Sequence, residues 1–148
     1  MNRRDLPFLV LDANILIRAV LGKRVRDIIL GYHKQARFFA PDVAYVDARK
    51  YLPPLLLKRG LPSDDVLVLL DQLENIVSPI TLEVYGHLRR QALQRIAARD
   101  EDDWPVVAVA LALDCAIWTE DQDFFGTGVA TWTTDRVELY LSSAGGCS

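Results

Sequence analysis

Five aspartates stand where apolar segments of this chain give way to polar ones. Asp12 closes the run "FLVLD" and is followed two residues on by Asn14. Asp121 and Asp123 follow the apolar "AIW" within "TEDQDF", and Asp103 opens the long apolar stretch "DWPVVAVALAL". Asp47 falls one turn into the helix expected after "RFFAPD". Carboxylates gathered at one place repel one another and raise each other's pKa. A hard divalent cation removes that penalty. Mg²⁺ takes oxygen ligands in octahedral geometry and keeps several waters, and Mn²⁺ accepts the same ligands. Such a site orients and activates a water for attack on a phosphodiester and stabilises the charge that develops. Each acid also has a plainer role open to it. Asp12 and Asp103 can cap the helices that follow them, and Pro105 in a first helical turn is consistent with the second cap. Asp121 can be a turn residue and Asp47 a solvated helix acid. Asp100, Glu101 and Asp102 read as solvated loop charges.

Other chemistries find no footing. The P-loop pattern G-x-x-x-x-G-K-[ST] is absent, and "GTG" at Gly126–Gly128 lacks the helix-opening third glycine of a dinucleotide fingerprint. There is no G-x-S-x-G, and no histidine is placed to serve a serine or cysteine nucleophile. A phosphoaspartate enzyme of the D-x-D-x-T kind needs a second acid where Asn14 stands and a threonine where Leu16 stands. His33 and His87 are single residues in helical stretches. Cys115 reads as a buried small hydrophobe and Cys147 as part of a tail, so no disulfide or Cys/His metal framework is expected.

The acids are informative only if the elements around them bring them together. Short apolar strands are expected at Phe8–Leu11, Arg37–Ala40, Ile76–Val77, Ala116–Trp118 and Val129–Trp132. Between them, helical spacing predicts Asn14–Leu21, Val25–Ala36, Val43–Lys58, a helix capped by Ser63 or Asp64, a long helix Leu82–Arg99, and Asp135–Leu141. Pro53–Pro54 should kink or interrupt the third of these. Val106–Leu113 is too apolar for a surface helix and should be buried. Alternation of strand and helix implies an α/β fold with a mainly parallel sheet covered on both faces. In such sheets ligands gather at the carboxyl ends of the strands, which is where Asp12, Asp121 and Asp123 fall.

With 148 residues, 51% hydrophobic and 25% charged, the chain is expected to form one domain over 1–142 with a flexible tail at 143–148. No apolar run approaches a bilayer span, and "MNRRDLPFLVLD" is too short for a secretory signal, so a cytoplasmic location is expected. The net charge of −3 conceals two halves. Residues 1–99 carry 16 Lys/Arg against 10 Asp/Glu (+6), and residues 100–148 carry 1 against 10 (−9). A basic surface beside a dense acidic site suits a polyanion held next to metal ions. Arg18, Lys23, Arg24 and Arg26 lie on or just past the helix that follows Asp12. They are the candidates for phosphate contacts.

Taken together, "LDANILIRAVLG", "PDVAYVDARKYLPPLL", "DDWPVVAVALAL" and "IWTEDQDFFGTGVATWT" resemble the PIN domain family over roughly residues 6–142. The likeness is to the small prokaryotic members, many of them VapC-type toxins. It implies a three-layer α/β/α sandwich in which an acidic quartet binds Mg²⁺ or Mn²⁺ and cleaves RNA. By position the quartet is Asp12, Asp47, Asp103 and Asp121, with Asp123 as an auxiliary ligand. Asn14 and Thr119 match polar positions that orient the acids. Two departures stand out. The second acid is usually Glu, so Asp47 is one methylene short of a direct ligand, and Asp102 beside Asp103 leaves the third position open by one residue. The resemblance further implies an RNA substrate, a small antitoxin over the site, and a homodimer for which the helix Leu61–Leu73 offers an apolar face. Core packing explains that face equally well. Two rival readings are a non-catalytic PIN-like module that binds RNA or protein, and a structure-specific DNA nuclease using the same acids.

Overall fold

Leu9 and Leu11 point to one side of the first strand and Val10 to the other, and both sides are covered. This alternation organises the computed structural model, which describes residues 6–96 and 99–146. Five parallel strands form one sheet: β1 (Phe8–Leu11), β2 (Arg37–Pro41), β3 (Val77–Ile80), β4 (Ala116–Trp118) and β5 (Thr131–Trp132). Their order across the sheet is β3-β2-β1-β4-β5. The chain therefore grows outward from β1 in one direction, then returns to add β4 on the other side. The expected α/β/α sandwich with a parallel sheet is observed.

On one face Leu9, Leu11, Phe38 and Trp118 pack under α1 (Ala13–Leu21), α2 (Arg24–Tyr32), α3 (Asp42–Lys58), α4 (Asp64–Leu73) and α8 (Val137–Gly146). On the other, Val10 and Ile117 pack under α5 (Leu82–Tyr85), α6 (Arg89–Ile96) and α7 (Trp104–Leu113). Residues Pro105 to Ala110 of α7 are all buried, as their unbroken apolar character requires. No helix among the described residues is long and apolar enough to cross a membrane.

Several boundaries differ from the expected ones. α3 is not interrupted: it runs through Pro53 and Pro54 to Lys58. The two prolines lack the amides that would bond the carbonyls of Arg49 and Lys50, residues that are half-buried and exposed respectively. The long helix expected over Leu82–Arg99 is divided instead into α5, a 3₁₀ turn at Gly86–Leu88, and α6. Gly86, a poor helix former, begins the tighter turn. β3 extends to Ile80 through Pro79. That is permitted because β3 is an edge strand, where a missing amide costs no pairing bond. β5 begins at Thr131 rather than Val129. α8 continues to Gly146, so 143–146, expected in the tail, belong to the last helix, while Cys147 lies outside the described residues.

The apolar face of α4 is largely used inside the chain. Leu70 is buried, and Val66, Leu67 and Leu73 pack against the core. Val68 and Leu69 turn outward. Leu52 on α3 is fully buried in the core that α3 shares with the sheet and α1. Leu52→Ala is expected to cost about 2–5 kcal/mol of unfolding free energy, read from the midpoint of urea denaturation.

Candidate metal centre

The chain leaves β1 at Leu11 and enters α1 at Ala13, so Asp12 has one residue in which to turn. It does so in extended geometry (φ −85°, ψ 174°), and its Oδ1 accepts the amide of Ile15 at 2.9 Å. Asp12 is thus a helix cap. Its second oxygen, Oδ2, accepts the hydroxyl of Thr119, the first residue past β4. β1 and β4 are neighbours in the sheet, with Leu11 opposite Trp118, and this register sets Asp12 beside Thr119. The Thr119 Oγ1 in turn accepts the amide of Asp121 at 2.9 Å, and Asp121 Oδ1 accepts the amide of Asp123 at 2.9 Å. A single chain of hydrogen bonds therefore runs from the end of β1 through the β4 loop.

Asp103 arrives from the opposite layer, at the start of α7. It occupies the N-cap position, yet its side chain makes no capping bond. Its Oδ2 is buried without a hydrogen-bond partner. One carboxylate oxygen from each of Asp103, Asp121 and Asp123 lies within 4.8 Å of the others. Of the adjacent pair, Asp103 is the one in this group, and Asp102 is exposed. Among the described residues no lysine or arginine forms an ion pair with Asp12, Asp103, Asp121 or Asp123.

Burial pushes the Asp12 carboxyl up to about 6, against the opposing pull of the Thr119 hydroxyl and the Ile15 amide, with Asp121 and Glu120 adding repulsion. Burial likewise raises Asp103, to about 7, and the negative charges of Asp100, Asp121, Asp12 and Asp123 raise it further. Hard oxygen donors, an unpartnered buried carboxylate oxygen and unrelieved like charge are what a divalent cation requires. The residues present fit such a group.

The acids line a cleft of about 510 Å³, with Asp12, Asp103 and Asp121 facing it alongside Asn14, Ile17, Tyr51 and Lys58. Asn14 is exposed there, and no hydrogen bond joins it to the acids. Asp47 is not in the group. It is exposed on α3, one turn before Tyr51 and so on the same helical edge as the cleft residues of that helix. Arg18, Lys23 and Arg24 line an adjoining hollow together with Arg59, and Arg26 does not. Arg24 also pairs with Asp135 at 3.4 Å. Tyr51, Lys58 and Arg59 were not singled out from the sequence. The four- and seven-residue steps from Asp47 to Tyr51 to Lys58 could have placed two of them on one helix edge.

Two measurements follow. Asp12 and Asp103 bind protons more tightly when folded than at their ordinary value of 3.8. The stability this provides is present below about pH 4 and is lost as pH rises through 6 to 7. The melting temperature in EDTA should therefore fall between pH 4 and 7.5, and Asp103→Asn should raise it at pH 7.5. Separately, Thr119→Val leaves a buried carboxylate oxygen without its donor and should lower stability by about 1–3 kcal/mol in chemical denaturation.

Comparison with known proteins bears on the fold. No curated protein sequence matches the chain. Three solved structures share its fold at low identity. PAE2754 from Pyrobaculum aerophilum superposes with a TM-score of 0.69 at 14% identity, covering 94% of this chain and 91% of its own. A chain of VapBC2 from Rickettsia felis, solved bound to a DNA fragment from its promoter, gives 0.63 at 13% identity, covering 85% and 98%. FitAcB from Neisseria gonorrhoeae gives 0.61 at 15% identity, covering 85% and 97%. The family model described as PIN domain matches residues 10–142. On that match, spanning both ends of the sheet and every acid of the centre, the chain belongs to the PIN domain family.

Proposed function

We propose that this protein is an endoribonuclease that hydrolyses RNA phosphodiesters with Mg²⁺ or Mn²⁺ held by Asp12, Asp103, Asp121 and Asp123. PIN domains are generally nucleases and use divalent metal. The observation that carries the reading is the buried, unpartnered Oδ2 of Asp103 beside Asp121 and Asp123. A plain helix cap would have bonded its own amides. A cation bound there supplies Lewis acidity toward the phosphodiester and activates water. Thr119 and the Ile15 amide fix the orientation of Asp12, so both its oxygens keep a set direction. Lys58 is the basic residue of the cleft and contacts a substrate phosphate, while Arg18, Lys23, Arg24 and Arg59 receive the flanking strand. Asp47, one methylene short of the usual Glu and turned to solvent, acts through water.

Similarity to VapC-type toxins extends the reading to a role as the toxin of a toxin–antitoxin pair, with an antitoxin covering the cleft and a homodimer as the working form. The rival reading, a non-catalytic PIN-like module, draws on the outward placement of Asp47.

Cleavage of single-stranded RNA by the purified chain should require Mn²⁺ or Mg²⁺ and stop in EDTA. Asp12→Asn and Asp121→Asn should fall to background, and Asp47→Ala should lose on the order of 10-fold. Folded protein that cleaves no RNA with Mn²⁺ would establish the non-catalytic module instead, and DNA cleavage without RNA cleavage would redirect the substrate.

A further inference from the structure

The acids are bracketed by two arginines that touch none of their carboxylates. Arg99 stands four residues before Asp103 on the same segment. Its Nη1 donates to the main-chain carbonyl of Asp123 at 2.8 Å and to that of Phe125. Arg95, near the end of α6, donates from Nη1 to the carbonyl of Thr127 at 2.8 Å. The loop they grip carries Asp121 and Asp123. Two glycines make room for the grip. Gly126 (φ +91°) and Gly128 (φ +85°) hold the loop in the left-handed region, where any side chain is strained, and a Cβ at either would push a guanidinium group aside. A Cβ at Gly128 would stand 2.5 Å from Arg95 Nη1, and one at Gly126 would stand 3.1 Å from Arg99 Nη2.

We infer that Arg99, with Arg95 behind it, is a positioning residue that holds the Asp121–Asp123 loop against the segment bearing Asp103, so that the cation site is assembled before a cation arrives. The inference rests on the metal-dependent reading above. The two segments carry like charge and meet at the cluster, so something other than their carboxylates must keep them together. A guanidinium bonded to a carboxylate would do so by occupying a ligand. A guanidinium bonded to main-chain carbonyls does so and leaves every carboxylate oxygen available. Arginine suits the task because the two N–H groups of one terminal nitrogen, Nη1, reach two carbonyls, Asp123 and Phe125, at once.

The test is Mn²⁺ titration of the full chain, followed by the paramagnetic signal of free Mn²⁺. Arg99→Gln should bind Mn²⁺ on the order of 10-fold more weakly. Its metal-free melting temperature should stay within about 2 °C of the unsubstituted chain, since Arg99 is exposed. Arg99→Lys should recover part of the affinity, and Arg95→Gln should lose less than Arg99→Gln. In cleavage assays the Mn²⁺ concentration giving half-maximal rate should rise for Arg99→Gln, with the rate at saturating Mn²⁺ retained. Folded Arg99→Gln that binds Mn²⁺ as tightly as the unsubstituted chain overturns the positioning role and leaves the metal site standing. Should Arg99→Gln not fold, Arg95→Gln decides by the same criterion, unchanged affinity overturning the role. An unsubstituted chain that binds no Mn²⁺, like Asp121→Asn beside it, overturns the metal reading and this one together.

Discussion

A carboxylate kept from water at the end of a central strand must have both oxygens directed, and at Asp12 they are. One faces the first turn of α1 and the other the hydroxyl past β4. The position is set by topology. β1 lies where the sheet stops growing in one direction and resumes in the other, and loops diverging from such a point leave a crevice between them. The cap, the crevice and the acids of the β4 loop all follow from that reversal. The opposite layer needs only to bring one more acid to the rim, and the buried helix α7 does so with Asp103.

The distribution of charge within the fold is selective. Elsewhere two arginines among the described residues pair with acids, Arg24 with Asp135 and Arg49 with two partners. Arg49 bonds Asp71 at 2.7 Å and Glu74 at 3.2 Å, tying α3 to α4. At the rim none of the described residues forms such a pair. The nearby arginines bond carbonyls, Glu120 caps the amide of Thr134, and the aspartates face one another with their repulsion unrelieved. A fold selected only for stability would have placed one of those guanidinium groups among the carboxylates. Stability at neutral pH is given up locally, and on the proposed function a bound cation would recover it.

The sequence made the frame legible because the strands are short, apolar and separated by clear helical spacing. "FLVLD" and "AIWTEDQD" each place acids directly after a strand, so their shared edge followed from the parallel arrangement alone. Thr119 and Asp103 were placed by register with the family's pattern. What depended on tertiary phase was hidden. Whether Asp47 turns inward is decided by how α3 seats on α1, a rotation that no local spacing encodes. Pro53 and Pro54 looked like a break because the burial of Leu52 and Leu56 on either side of them, which anchors α3, is a tertiary fact not visible in the residue string. The grip of Arg95 and Arg99 joins residues about thirty apart through a loop whose shape depends on two left-handed glycines. The sequence singled out neither arginine, and its "GTG" read only as an incomplete dinucleotide fingerprint.

The register of β4 against β1 also bears on how the molecule comes into being. A chain made from its N-terminus has β1, β2, β3 and four helices of the first core available while the other edge of β1 is still open. Asp12 and Thr119 are 107 residues apart, so the rim cannot exist until β4 and the loop after it have been made and have docked on β1. A chain made only as far as α7 therefore lacks the Asp12–Thr119 contact whatever it folds into. The activity proposed above would wait on the docking of β4 against β1.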